Sequence, residues 1–139
     1  MTGAALLAHR PRLLVVDDEP SIAELMRIWF EPIGWDVVTA ASGPEGVARA
    51  AEHEPDAVVL DLMLPGYDGL EVLRRIRMIH PRVTVVMSTA CDSEEDRAAG
   101  LAAGADAYLV KPYSLVELEQ RLRDVAGRRA GRRPARSGR

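Results

Sequence analysis

Polar side chains stand directly behind aliphatic runs at four places in the chain. Asp17, Asp18 and Glu19 follow "RLLVV", Asp61 follows "DAVVL", Ser88 closes "RVTVVMS" with Thr89 directly after it, and Lys111 with Pro112 follows "DAYLV". A charge against an apolar run is costly unless it ends the run, reaches water or meets a partner. If Asp17, Asp18 and Asp61 are neighbours, they repel one another and stay ionised only beside a cation, and hard oxygen ligands of this kind select Mg²⁺ or Mn²⁺. Mg²⁺ usually takes one or two carboxylates, several waters and a phosphate oxygen, so the set suits the holding of a phosphoryl group. Thr89 brings a hydroxyl donor and Lys111 a compact, mobile positive charge for phosphate oxygens. Lys111 is also the one lysine in a chain that otherwise uses arginine for its positive charges.

The neighbouring elements must bring these residues together. Runs rich in Val, Leu and Ile at 12–16, 35–40, 56–60, 82–88 and 106–110 read as five strands. Segments with apolar residues at three and four spacing lie between them and read as five helices, with starts at Pro20, Ser42, Asp68, Asp92 and Ser114 and stops at Gly34, Gly104 and Gly127. Strand and helix alternating five times predict a doubly wound α/β fold whose sheet is parallel, because each crossover is a helix. Near-continuous aliphatic strands agree, since such a sheet is covered on both faces. Ligands bind at the carboxyl ends of the strands in these folds, which places all four polar groups on one rim.

Each residue also has a plainer reading. Asp17 and Asp18, just before Glu19-Pro20, suit the cap of a first helix. Asp61 suits the cap of the turn at Pro65-Gly66, Thr89 suits a local capping hydroxyl, and Lys111 suits an ordinary surface lysine. Their joint occurrence at the ends of the correct strands favours the shared site.

Bulk composition narrows the function classes. A length of 139 residues fits one domain with its own core. No stretch approaches the roughly 20 apolar residues of a membrane span, and "MTGAALLAHR" lacks the basic region of a secretion signal. A single cysteine, Cys91, excludes an internal disulfide and fits a cytoplasmic protein. The net charge of −3 is unevenly spread, because six arginines crowd into "RRAGRRPARSGR" after all the acidic residues. Such a tail can attract nucleic acid, although its Gly, Pro and Ser content without aromatics reads as a solvated linker. The expected organisation is an N-terminal extension at 1–10, a folded domain at 11–127 and a basic flexible tail or linker at 128–139.

From about Arg12 to Val125, the stretches "LLVVDDEPSI", "PDAVVLDLMLPGYDGLEVLRRIR", "VVMSTA" and "GADAYLVKPYS" resemble the receiver domain of two-component response regulators. That resemblance implies a flavodoxin-like strand order of 2-1-3-4-5. It implies phosphorelay signalling in which Asp61 accepts a phosphoryl group from a phosphohistidine on a sensor histidine kinase, with Mg²⁺ required. Asp18, Asp61 and the backbone carbonyl of Met63 are implied as direct metal ligands, Asp17 as a ligand through water, and Thr89 and Lys111 as phosphoryl contacts. The Lys111-Pro112 peptide is expected to be cis. Thr89 and Tyr108 are the implied switch pair, Tyr108 entering the space that Thr89 vacates on phosphorylation.

Among receiver proteins the chain looks most like the winged-helix transcription-factor subclass, which forms homodimers through the face of the fourth helix, fifth strand and fifth helix. Arg97, Asp106, Glu117 and Arg121 stand at matching positions, and they equally suit a solvated helix face. Ala107 departs from the subclass, which has a second aspartate there. DNA contact is expected through an output domain absent from this chain, with no membrane partner. No turnover of an external substrate is expected beyond the domain's own phosphorylation and dephosphorylation. Two rival classes share residues with this reading. An Mg²⁺-dependent phosphohydrolase would need an acid two residues after the nucleophile, where Met63 stands; a phosphorylation-independent interaction module would be expected to lack one of the acids, the Thr or the Lys, and none is missing. His9, His53 and His80 read as surface residues, Trp29 and Trp35 as packing around the Gly34 turn, and Cys91 as an inert thiol near the site.

Overall fold

Five short aliphatic runs form the predicted parallel sheet in the computed structural model of the chain, which describes residues 10–132. The strands are β1 (Arg12–Val16), β2 (Asp36–Ala40), β3 (Ala57–Leu60), β4 (Thr84–Thr89) and β5 (Ala107–Val110). They pair in parallel in the order β2-β1-β3-β4-β5, as the receiver resemblance implies. Helices α1 (Pro20–Phe30), α2 (Gly43–His53), α3 (Gly69–Ile79) and α4 (Glu94–Ala102) supply the four crossovers, and α5 (Leu115–Arg132) follows the last strand.

Successive side chains along a strand face opposite ways, so each aliphatic strand feeds two cores. Leu14, Val16, Leu60 and Met87 pack on one side with Val72, Leu73 and Ile76 of α3. Leu13, Val15, Val59 and Val86 pack on the other with Met26 and Phe30 of α1 and Leu118 and Leu122 of α5. Trp29 and Trp35 join this second core as expected, Trp35 lying edge-on to Phe30 at 5.9 Å.

Capping follows the sequence signals closely. The Ser42 side chain accepts from Glu45 N–H, and Asp68 accepts from Leu70 N–H. The Glu45 carboxylate in turn accepts from Ala41 N–H, which together with Arg49 lowers its pKa. Two boundaries need correction. Ser93, not Asp92, caps α4, because its hydroxyl accepts from Asp96 N–H. Helix α5 runs through Gly127 to Arg132, so part of the expected flexible tail is helical. Gly127 and Gly131, the two glycines in this helix, cost only about 1 kcal/mol each, and the surrounding Arg and Ala residues are strong helix formers. Residues 1–9, including His9, and residues 133–139 lie outside the described residues.

An element that the periodicity did not signal follows β3. Met63–Leu64 and Tyr67–Asp68 form a two-residue antiparallel hairpin, turning at Gly66 with φ of +67°. Gly69 closes it against Leu62, whose carbonyl oxygen would lie 2.4 Å from any added Cβ. The hairpin thus holds the chain immediately after Asp61 in a tight fold. Among the described residues, no helix is long and apolar enough to cross a membrane.

Candidate functional site

Backbone bonds continue the sheet one residue past its strands and fix where the polar groups emerge. Asp17 N–H donates to Ala40 O, Asp61 N–H to Val16 O, and Lys111 N–H to Thr89 O, at 3.0, 3.0 and 2.8 Å. Each of these candidate residues is therefore the first beyond its strand, on a common rim. Thr89 is the exception, being the last residue of β4 itself.

Asp17, Asp18 and Asp61 each bring a carboxylate oxygen within 4.8 Å of the others. Asp17 and Asp61 are 5% and 6% exposed, whereas Asp18 is open to solvent. The plainer capping reading of these acids fails for α1, whose N-cap Glu19 makes no side-chain cap. Asp17 instead accepts from Glu19 N–H with one oxygen and from Lys111 Nζ with the other, at 3.0 and 2.9 Å. Asp61 is held in the same way, by Met63 N–H at 2.9 Å and by Lys111 Nζ at 3.1 Å.

Lys111 thus bridges the two buried acids, and Glu19 lies 3.7 Å from the same ammonium. Burial works against the lysine's charge, but hydrogen bonds from Asp17 and Asp61 outweigh it and raise the Lys111 pKa well above the usual lysine value. Three carboxylates still face one ammonium here. An all-oxygen cluster with excess negative charge fits a hard divalent cation, in agreement with the donor set expected. A cleft of about 300 Å³ opens beside it, lined by Asp17, Asp18, Glu24, Arg27 and Thr39 among others.

The expected switch residues, Thr89 and Tyr108, meet at the backbone of one residue, Cys91. Thr89 is fully buried, and its hydroxyl accepts from Cys91 N–H at 3.3 Å. Tyr108 is 4% exposed and donates its hydroxyl to Cys91 O at 2.8 Å. Its aromatic ring therefore already occupies the interior, an arrangement that the resemblance associates with the phosphorylated state. Burial raises the Tyr108 pKa, with the nearby acids, Asp96 first, adding to it. Gly100 leaves the room, since a Cβ there would come within 3.1 Å of the ring. The Lys111-Pro112 peptide is cis, as expected.

The four charged residues of the candidate dimer face are placed unequally. Arg97 lies over the Tyr108 ring at 5.1 Å, Glu117 is exposed and Arg121 is half-buried. Asp106 is committed within the chain, pairing with Arg77 at 2.7 Å. His53 is half-buried, and His80 is not a free surface residue, because its ring Nε2 lies 2.8 Å from Ala50 O.

Sequence reading missed Tyr113 at the site's margin and Arg77 at the opposite end of the sheet. Tyr113, two residues after Lys111, shares a hydrogen bond with Ser88, and burial raises its pKa. A serine inside an aliphatic strand was the one available sign. Arg77 gave no sign, since arginines are spread along the whole chain.

Known proteins match this arrangement. A family model described as response regulator receiver domain matches residues 13–123. The chain is 46% identical over 116 residues to the probable transcriptional regulatory protein TcrX of Mycobacterium tuberculosis, covering 84% of this chain and 50% of that protein. It is 42% identical over 117 residues to the alkaline phosphatase synthesis transcriptional regulatory protein PhoP of Bacillus subtilis, covering 84% and 49%. The chain therefore spans about half the length of these relatives. Among solved structures, the Francisella response regulator 1452 receiver domain superimposes with a TM-score of 0.78 at 35% identity, covering 85% of this chain and 98% of that one.

Proposed function

Because the chain belongs to the response regulator receiver domain family, we propose that it receives a phosphoryl group on Asp61 from the phosphohistidine of a sensor histidine kinase. The observation that carries this reading is the Asp61 carboxylate itself, buried at the strand end between Met63 N–H and Lys111 Nζ, with Asp17 and Asp18 alongside. A buried carboxylate that is oriented by two donors presents a fixed nucleophilic oxygen.

Asp61 attacks phosphorus to form an acyl phosphate, the P–N bond breaks, and its electron pair returns to the imidazole of the kinase. Lys111 moves from the Asp61 oxygen to a phosphoryl oxygen, and Thr89 gives its hydroxyl to another. Asp18, Asp61 and the Met63 carbonyl, with Asp17 through water, are the groups that would hold Mg²⁺ or Mn²⁺, which offsets phosphoryl charge when bound. Met63 supplies no acid where a phosphohydrolase needs one. The domain thus acts on itself and turns over no external substrate.

In this reading residues 11–127 form the receiver unit, in the cytoplasm, and the signal passes to a transcriptional output beyond this chain, as the names of the relatives support. Self-association through α4, β5 and α5 would draw on Arg97, Glu117 and Arg121. Asp106 must first leave Arg77, and Ala107 contributes no charge.

Intact mass after incubation with acetyl phosphate and Mg²⁺ tests the proposal. One added phosphoryl group that disappears in Asp61→Asn and with a chelator supports it. A folded wild type that stays unmodified by acetyl phosphate and by kinase donors returns Asp61 to a turn residue and the chain to an interaction module.

A further inference from the structure

Ser88 is an anomaly in the strand that carries Thr89. Its nearest neighbour on the same side of β4 is the aliphatic Val86, with Thr84 beyond it, and Ser88 is 1% exposed and hydrogen-bonds to the Tyr113 hydroxyl. A buried hydroxyl without a partner is costly, so the two groups depend on each other. The Tyr113 ring packs into the second core, against the cluster that holds Leu13, Val15 and Leu118. Neither hydroxyl belongs to the acid cluster. Lys111, whose N–H is bound to Thr89 O, precedes Tyr113 by two residues.

From this geometry we propose that the Ser88–Tyr113 hydroxyl pair is a positioning device for Lys111. Lys111 sits between two tethers to the same strand: its own N–H on Thr89 O, and the Tyr113 hydroxyl on Ser88, two residues further on. The backbone bond fixes one end of the segment, and the hydroxyl pair adds a polar tie at the other to the packing of the Tyr113 ring. With both tethers, the lysine stem leaves a fixed base and its Nζ reaches Asp17 and Asp61 together. Site geometry tolerates small errors poorly, so a tether outside the first ring of contacts governs the rate through Lys111. This inference rests on the phosphoryl-acceptor reading of Asp61.

The test compares the rate of phosphorylation by acetyl phosphate at saturating Mg²⁺ in the wild type, Tyr113→Phe, Ser88→Ala and the double variant, each with and without Lys111→Ala. Each single variant should slow the reaction about three- to tenfold, the worth of one net hydrogen bond. The double variant should be no slower than the slower single, because the pair acts as a unit. In the Lys111→Ala background, Tyr113→Phe should change nothing further, a result that a general loosening of the fold would not give. Hydrogen exchange at the Lys111 amide should quicken in Tyr113→Phe while the amides of β1 keep their protection. A Tyr113→Phe rate equal to wild type, or the same slowing without Lys111, overturns the proposal, as does unchanged exchange at Lys111. A wild type that takes no phosphoryl group overturns the Asp61 reading instead, and the exchange measurement then decides the tether alone.

Discussion

Asp106 sits 2.7 Å from the Arg77 guanidinium, and the carboxylate oxygen that takes that contact also accepts Val85 N–H at 2.8 Å. Arg77 further donates to Gly104 O at 3.0 and 2.7 Å and to Val83 O. One side chain thereby ties α3 to the start of β4 and to the loop before β5. Both partners are largely removed from solvent, so the pair differs from the exposed i,i+4 pairs elsewhere.

Arg77→Ala should therefore lower stability by about 3 kcal/mol, because it removes the Arg77 guanidinium from the Asp106 carboxylate and from the carbonyls of Gly104, Pro81 and Val83. Urea unfolding measures it. A loss within the range of about 0–1 kcal/mol typical of surface pairs would show that solvent already satisfies Asp106.

Metal binding should be visible as stability. Asp17, Asp18 and Asp61 repel one another, and Lys111 is bonded to Asp17 and Asp61 but not to Asp18 among the contacts of the described residues. Mg²⁺ at about ten times its dissociation constant should then add about 1.4 kcal/mol, seen as a rise in Tm that a chelator reverses. Asp18→Asn should abolish most of that rise while leaving the fold intact, since Asp18 is exposed and makes no core contact. A metal response that survives Asp18→Asn would place the ion elsewhere.

The legible part of this molecule was what depends on near neighbours and on strand ends. Aliphatic runs had to become strands covered on both faces, and acids directly behind them had to emerge on one rim. The hydroxyls of Ser42 and Asp68's carboxylate announced their caps for the same local reason. Arg77 and Asp106 were not legible, because they are 29 residues apart and meet only through the packing of α3 across β4 and β5. Ser88 and Tyr113 share that difficulty, a contact across 25 residues that no periodicity encodes. At Gly127 the local rule misled, since helix propensity on both sides outweighs one glycine. The interior position of Tyr108 depends on Gly100 and on the Cys91 carbonyl, and neither is a pattern in sequence.

Alkaline pH should weaken the fold in part through its tyrosines. Burial raises the pKa of both Tyr113 and Tyr108. A raised folded value means that the neutral phenol is favoured, so its contribution is complete below the unfolded value near about 10 and is lost as pH rises through the folded one. Unfolding free energy should fall with pH in that window, and Tyr113→Phe should flatten the slope. An unaltered slope in Tyr113→Phe would assign the alkaline loss to other groups.

Gly100 sets the last expectation. A Cβ at this position would come within 3.1 and 3.2 Å of two Tyr108 ring carbons, tight enough that a neighbour must give by a few tenths of an ångström. The helix backbone cannot retreat without disturbing the contact of α4 with β5, whereas the tyrosine can rotate outward and give up its bond to Cys91 O. Gly100→Ala should therefore expose Tyr108, bring its phenol titration back toward the ordinary tyrosine value and cost about 1–3 kcal/mol as an overpacked site. Ultraviolet titration of the phenolate, with Tyr113→Phe as background, separates the two residues. If the Tyr108 titration stays raised in Gly100→Ala, the helix yields instead of the ring, and the interior position of Tyr108 is held by its hydroxyl bond and the second aromatic contact, the Arg97 guanidinium over its face.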